Sequence, residues 1–373
     1  MMTTRFTRFL YPAVATPNTT RIAAVDDIGT AVALSRFGWL HGSNAVILAP
    51  VNQPALDAAA STLVHFPIDA PILLNPLGTL DPRVAEEIQR LMPAGVDAPA
   101  QVLLVGPFAP AVSLAIQALG LTTDTIGSAD PISTAVATAT LRRAVEPGVR
   151  NVTLISLEDL VWGLPATAWA AHFGDPVLFV HAQSIPAPTA AYLSSFEPNA
   201  YLMGPPAVIS RTVLDQVRDL THGVGYVARI TGFSPAEVAA HYARFFAPTE
   251  SVYGWGRWSP DDGQAFTFVS SAGGALDLVP VAGATLSHRG KHTPVLYVAH
   301  DEVPPATETY VMSVNPGPFQ GVQEAPPFMH GFILGNEGVV SVPVQIALDT
   351  LLTRGAHVMG GSAPTAVDMR THH

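Results

Sequence analysis

The sequence predicts an α/β protein made of three copies of one parallel β-α-β module. The Ile residues of three similar segments lie 104 residues apart, since 126 − 22 and 230 − 126 give the same value. Each Ile also precedes a similar dipeptide by eight residues. The pairs are Ile22 with Thr30-Ala31, Ile126 with Thr134-Ala135, and Ile230 with Val238-Ala239. A period of this length exceeds any helix or strand periodicity and indicates repeated domains.

Three short apolar segments follow in the same order in each copy and are predicted to be strands. They consist of Val, Ile, Leu and Phe with little polar alternation, which is typical of strands covered on both faces of a parallel sheet. The second segment begins with Pro in every copy, and the third ends at Gly. The segments are residues 44–49, 71–74 and 102–106 in copy one, 151–156, 176–180 and 201–204 in copy two, and 265–270, 294–298 and 332–335 in copy three.

The stretches between these strands are Ala-rich or Leu-rich and have the length of helices. Ser113, Ser210 and Ser341 follow the third strand, where a hydroxyl is expected to cap the N-terminus of the next helix. Right-handed crossovers would then give each copy a small parallel sheet with helices on both faces. The predicted modules are residues 20–124, 125–227 and 228–353, followed by a C-terminal tail at 354–373.

The landmarks of copy one resemble the cell wall-binding repeat 2 family. They are Arg21-Ile22, Thr30-Ala31, Asp57-Ala58-Ala59, Pro71-Ile72-Leu73-Leu74 and Val112-Ser113. The resemblance covers roughly residues 20–353. It implies three Rossmann-like modules around a pseudo-threefold axis. It also implies non-covalent attachment to anionic polymers of a bacterial cell wall.

Copies two and three depart from this pattern. Trp162 stands where copy one has Asp57, and copy three contains an aromatic insertion at residues 253–258. The second Gly of the family's Gly-Gly pair is replaced by Pro107, Pro205 and Asn336. The departures put a ligand geometry carried over from the family in doubt, whereas the fold inference does not depend on them.

The composition limits the classes of partner. The chain has 373 residues, 48% hydrophobic and 13% charged, with no Cys and a net charge of −11. A large core is therefore expected, and disulfides and thiolate metal sites are excluded. Binding a polyanion requires a local basic groove on so acidic a protein, and nucleic acid is disfavoured. Two basic clusters are candidates, and solvated helix ends and loops are the simpler interpretation of each. They are Arg142, Arg143 and Arg150, and Arg289, Lys291 and His292.

Polar residues that follow the first strand of each copy are candidate ligand contacts. They are Asn52, Asp57, Glu158, Asp159, Ser270 and Asp277. Ligands of open parallel sheets bind beyond the carboxyl ends of the strands, where these residues are expected. The alternative is that each residue caps the next helix or turn.

The aromatic insertion offers a different candidate. Trp255 and Trp258 could stack on a carbohydrate, anchor a partner chain or pack onto their own module. All three roles require the flat apolar face of an indole ring. The sequence therefore does not distinguish between them.

We expect no metal, cofactor or catalytic centre. His288 and His292 are four residues apart, but Gly290 and Pro294 argue against the helix that would place both rings on one face. His300, Asp301 and Glu302 follow downstream. The G-x-G-x-x-A run that begins at Gly223 does not connect a strand to a helix and is predicted to be a turn.

The leading functional hypothesis is a noncatalytic cell-surface protein that binds a cell-wall glycan or anionic polymer. One alternative is a self-assembling subunit of a surface layer or filament, which would be a homo-oligomer. Another is an enzyme of unknown reaction that uses a divergent module. No apolar run is long enough to span a membrane. Pro12 interrupts the apolar N-terminal run, so there is no clear signal peptide and a cytoplasmic location stays open beside the cell surface.

Overall fold

The computed structural model describes residues 16–258, 265–272, 276–314 and 329–353 and places them in three parallel sheets. The predicted tail at 354–373 lies outside the described residues. The strands are β1 (Thr19–Ile22), β2 (Val46–Pro50), β3 (Ile72–Asn75), β4 (Val102–Val105), β5 (Thr123–Ile126), β6 (Asn151–Ser156), β7 (Val177–Val180), β8 (Asn199–Met203), β9 (Val227–Ile230), β10 (Ala265–Ser270), β11 (Val295–Val298) and β12 (His330–Leu334).

Each sheet has four strands, and one edge strand of each comes from another copy: the next copy for the first two sheets and the first copy for the third. The orders are β3-β2-β4-β5, β7-β6-β8-β9 and β1-β12-β10-β11. In the third sheet the N-terminal strand β1 pairs with β12 near the C-terminus, with Thr19 opposite Gly331 and Ile22 opposite Leu334. The predicted α/β class with three Rossmann-like modules is confirmed.

The repeated Ile segments of the sequence form these edge strands. As a result, β5 spans the predicted boundary between residues 124 and 125, and β9 spans that between residues 227 and 228. The division of the chain into three sequence modules stays a prediction, while the sheets show that neighbouring copies share strands.

Helices cover both faces of the sheets. They are α1 (Asp27–Gly38), α2 (Pro54–Ser61), α3 (Pro82–Leu91), α4 (Pro110–Gln117), α5 (Pro131–Val145), α6 (Ala166–Phe173), α7 (Ala187–Phe196), α8 (Arg211–Leu220), α9 (Pro235–Arg244), α10 (Leu278–Ala282), α11 (Pro305–Val314) and α12 (Val342–Leu352). A short 3₁₀ turn occupies Leu160–Trp162, and a π-helix at Gly283–Lys291 continues α10.

Two of the three predicted Ser caps are confirmed. Ser210 accepts a hydrogen bond from the Val213 N–H at the start of α8, and Ser341 accepts one from Val344 at the start of α12. The prediction for Ser113 is wrong, because Pro110 starts α4 three residues earlier. Ser113 lies inside that helix, where its hydroxyl contacts the Thr123 hydroxyl of β5 at 2.7 Å.

The first residue of the Arg-Ile motif connects neighbouring copies. Arg21 of β1 donates to the Gly335 carbonyl at 2.8 Å, and Arg229 of β9 donates to the Gly204 carbonyl at 2.7 Å. Both glycines end a strand in a left-handed conformation, with φ of 93° and 113°, which a residue with a Cβ adopts rarely. The motif therefore holds the end of the adjacent strand.

The core is built around three central helices. α2, α6 and α10 contact one another, and the π-helix packs against α6. Their buried residues join one hydrophobic cluster with residues of all three sheets. The central helices begin at the carboxyl ends of the strands and finish at the opposite side, so the junction of the three modules has two chemically distinct ends.

Among the described residues, no helix combines the length and apolar character needed to cross a bilayer.

Candidate functional site

Three acids meet where the central helices begin. Asp57 lies in the first turn of α2, Asp277 immediately precedes α10, and Asp27 is the first residue of α1. We call this group the carboxylate end. The Asn52 N–H donates to the Asp277 carboxylate. Asp57 is fully buried, and neither of its carboxyl oxygens accepts a hydrogen bond from any residue that the structure describes.

Burial raises the pKa of all three acids of the carboxylate end. It raises the pKa of Asp57 well above the ordinary value, and the negative charge of Asp277 adds to the effect. The pKa of Asp27 rises to about 6, first through burial and then through the charges of Asp277 and Asp26. Burial also raises the pKa of Asp277. A buried carboxylate that lacks hydrogen-bond donors, as at Asp57, is costly, so burial shifts the equilibrium toward the neutral acid.

The structure brings together three residues that were predicted as ligand contacts, Asn52, Asp57 and Asp277. A fourth, Ser270, lies nearby at the end of β10 and accepts a hydrogen bond from the Ala272 N–H at 3.2 Å. A cleft with a volume of about 410 Å³ opens beside Ser270 and Asp27. Whether these residues bind a ligand stays a prediction.

The remaining two acids of that prediction lie in the second module and have other partners. Glu158 contacts the His181 ring and accepts a hydrogen bond from Ser156 at 3.1 Å. Burial alone would raise the pKa of Glu158, but these two contacts lower it. Asp159 accepts a hydrogen bond from the Trp162 indole at 2.8 Å. At the position of the buried Asp57 of copy one, copy two therefore has Trp162, whose indole N–H donates to Asp159.

Four histidines gather at the other end of the central helices, and we call them the imidazole end. They are His65 after α2, His172 in the last turn of α6, His288 in the π-helix and His292 directly after it. The ring centroids of His65 and His288 are 5.3 Å apart, and those of His172 and His292 are 4.7 Å apart. His288 Nε2 is 2.8 Å from Asp69 Oδ1.

Burial keeps two of these rings neutral. It lowers the pKa of His65 to about 3, an effect strengthened by His288 and Arg142. It lowers the pKa of His172 to about 4, with His292 adding to the effect. Charging either ring would place a cation in a site that already contains other cationic or titratable groups.

The predicted basic pair serves two separate sets of contacts. Arg142 is buried and donates from Nε to the Gly174 carbonyl at 3.2 Å and from Nη1 to the His65 and Phe66 carbonyls. It therefore joins the first and second modules.

Arg143, the second member of the pair, donates to the Val149 carbonyl at 2.8 Å. Its guanidinium lies 4.2 Å from the centroid of the Phe196 ring. These contacts are local to the second module, unlike those of Arg142. A role for either arginine in binding an anionic ligand stays a prediction.

A large cleft opens beside the imidazole end, between the first and second modules, and Ser251 and Val252 of the third module also line it. Its volume is about 1010 Å³, near the upper limit of ordinary ligand sites. We call it the wide cleft. Its lining includes His65, Phe66, Arg142, Glu146, Arg150 and Phe173.

The aromatic insertion packs across a module junction. Trp255 stacks on His172, with ring centroids 5.1 Å apart and an angle of 12° between the planes. Its edge meets Trp169 at 5.3 Å. Tyr253 stacks on Tyr201 of the second module at 3.6 Å. Trp255 thus contacts the neighbouring module, while Trp258 is 49% exposed; the glycan and partner roles of both stay predictions.

Residues around the imidazole end were missed as a group by sequence reasoning, although one signal was present. His65 and His288 each precede the Pro of the second strand by six residues, since 71 − 65 and 294 − 288 are equal. The expectation that this segment is not helical was wrong, because a π-helix extends to Lys291 and contains His288. His288 and His292 nevertheless contact Asp69 and His172, respectively. Within the described ranges, no three His, Asp or Glu side chains are arranged to hold a metal ion.

The predicted turn at Gly223 is confirmed, since it lies between α8 and β9.

No protein-family model matches the chain, and no curated protein matches it. The family inferred from the motifs therefore stays a prediction. Solved structures do match. Cwp6 from Clostridium difficile superposes with a TM-score of 0.70 and 19% identity over 91% of this chain and 49% of that one. Cwp8 from the same organism superposes with a TM-score of 0.69 and 17% identity over 90% of this chain and 52% of that one. This chain spans about half the length of each, and the likeness shows that they share its fold.

Proposed function

We propose that this protein is a noncatalytic cell-surface protein that binds a glycan or polymer of the cell wall. The observation that carries the proposal is the three-module fold, which superposes along nine-tenths of the chain on Cwp6 and Cwp8. Both of these are cell wall proteins. The ordered motifs of the three copies support the same function independently of the superposition.

The chemistry of the module junctions supports a binding role. The histidines and acids with the largest pKa shifts lie within the core junction, where they contact one another or the backbone. Arg142 uses its donors to join two modules. The shifted groups are thus explained by burial between modules, and the clefts between modules are left as surfaces for a ligand.

Co-sedimentation with purified cell-wall sacculi tests the proposal. We expect the folded protein to pellet with sacculi and to stay in the supernatant without them. Sedimentation velocity in the same buffer separates wall binding from self-assembly, because an assembling subunit would sediment faster with rising concentration even without walls. A folded protein that stays in the supernatant with sacculi would contradict the proposal.

A further inference from the structure

Two partly exposed phenylalanine rings line the wide cleft. Phe66 is 54% exposed and Phe173 is 40% exposed. The ring of Phe173 is supported by Trp169, on which it stacks with centroids 5.0 Å apart and planes 12° apart. His65 lies nearly parallel to Phe173 at 6.3 Å. Partly exposed aromatic rings that are held by neighbouring rings suit a flat apolar surface, such as the C–H face of a sugar ring.

The charges in the wide cleft do not suit a polyanion. Among its described lining residues there are two arginines and three carboxyl groups, those of Asp97, Glu146 and Asp175. Arg142 is buried and donates to backbone carbonyls. Arg150 is exposed, but it shares the cleft with the exposed side chains of Asp97 and Glu146. Polyanion binding depends on cations that replace counterions, and here acids offset them.

Polar groups around the phenylalanine rings suit hydroxyl-rich ligands. Ser251, Glu146 and Arg150 line the same cleft and carry donors and acceptors. The volume of about 1010 Å³ accommodates an oligosaccharide. A mixed lining of this kind can bond to many sugar hydroxyls without requiring a charged partner.

We propose that the wide cleft binds an uncharged glycan chain of the cell wall, with sugar rings stacked on Phe66 and Phe173. This inference rests on the proposed function and names the chemical class of its ligand. Because the ligand carries no charge, its binding should change little with salt, unlike binding of an anionic polymer.

Two variants of the full chain test the cleft. Phe66→Ala removes one of the two phenylalanine rings. Val252→Trp places a large ring in the cleft without removing a contact of the core, since the Val252 side chain is exposed and its carbonyl, which accepts from Asn151, is unchanged. The matched control is Phe233→Ala, because Phe233 is 98% exposed and is not among the residues lining the wide cleft.

The measurement is calorimetric titration with uncharged N-acetylglucosamine oligosaccharides and, separately, with polyglycerol phosphate. We expect the oligosaccharides to bind wild type and Phe233→Ala equally, and both cleft variants to weaken binding by about tenfold or more. Binding of polyglycerol phosphate alone, with steep salt dependence, would overturn the inference while the proposed function stood. Oligosaccharide binding that both cleft variants retain would overturn it too. Failure with both probes and with sacculi would overturn the inference together with the proposed function.

Discussion

The two ends of the central helices contain groups of opposite chemistry, acids at one end and histidines at the other, and burial favours the neutral form at both ends. The carboxylate end places Asp27, Asp57 and Asp277 at helix N-termini, and the imidazole end places His65 and His172 near helix C-termini. The helix dipole favours the charged form of each group in these positions. Burial nevertheless raises the pKa of the acids and lowers that of the histidines. Desolvation therefore outweighs the dipole at this junction.

The two ends respond oppositely to pH. At the carboxylate end the folded pKa is raised, so its contribution to stability is present below about pH 3.8 and is lost as pH rises through about 6 for Asp27. At the imidazole end the folded pKa is lowered. Its contribution is present above about pH 6.5 and is lost as pH falls toward about 4 for His172 and about 3 for His65. Between about pH 4 and pH 6, the stability that the acids lose with rising pH is therefore offset by the stability that the histidines gain.

The largest effect is expected from Arg142→Met, which breaks the junction beside the imidazole end. The variant leaves the carbonyl oxygens of Gly174, His65 and Phe66 without this donor. We expect the free energy of unfolding to fall by about 3 kcal/mol or more in urea denaturation. Arg143→Met is the matched control and should lose about 1 kcal/mol, because one carbonyl bond and one contact with Phe196 are removed. Equal losses would contradict the linking role of Arg142.

His65→Gln should remove acid sensitivity from the imidazole end. A folded pKa of about 3 means that wild type holds His65 neutral at pH 5. The variant should therefore gain about 2 kcal/mol relative to wild type on going from pH 7.5 to pH 5, at about 1.4 kcal/mol per pKa unit. Urea denaturation at both pH values measures the difference. The exposed His41 serves as the control, and His41→Gln should show no such dependence. A gain shared by both variants would argue against burial as the cause.

Asp57→Asn should relieve the carboxylate end at alkaline pH. The wild-type carboxyl must ionise without hydrogen-bond donors among the described residues, whereas the amide stays neutral. We expect the unfolding free energy of the variant to rise relative to that of wild type as pH increases from 5 to 8. Thermal unfolding across this range provides the measurement. Asp124→Asn, which changes an exposed acid on β5, is the control, and its stability relative to wild type should not change with pH. If the relative stability of Asp57→Asn also stays constant with pH, ionisation of Asp57 does not destabilise the fold.

The smallest effect is expected at Glu158 of the second module, whose side chain is about half exposed. Glu158→Gln removes the contact with His181, in which both side chains are about half exposed. Exposed ion pairs contribute little, so the change should stay within about 0.5 kcal/mol at pH 7. A loss comparable to that of Arg142→Met in the same denaturation assay would contradict the distinction between exposed and buried ionisable groups.

The sheets were predictable because their strands are apolar. Three strands per copy follow from buried runs such as residues 102–105, whereas the edge strand β5 contains the exposed polar residues Asp124 and Thr125 and gives no such signal. Which copy supplies an edge strand depends on packing between modules. A local pattern does not encode that packing.

The candidate site was predictable in part, because the predicted strand order fixes which loops lie at one side of the sheets. Asn52, Asp57 and Asp277 follow strands that end on one side of the sheets, so their proximity follows from the topology. The contacts of Arg142 with the His65 and Phe66 carbonyls join residues that are 77 and 76 positions apart. They depend on how α5 packs beside the first module.

Hydrogen exchange in the presence of soluble wall fragments tests most directly which end of the molecule meets the wall. If the wide cleft is the binding surface, amides around residues 65–66, 97–98 and 146–150 should exchange more slowly, while those around Asp27 and Asn336 should be unchanged. Protection confined to the cleft at the carboxylate end, or no protection anywhere, would contradict the account.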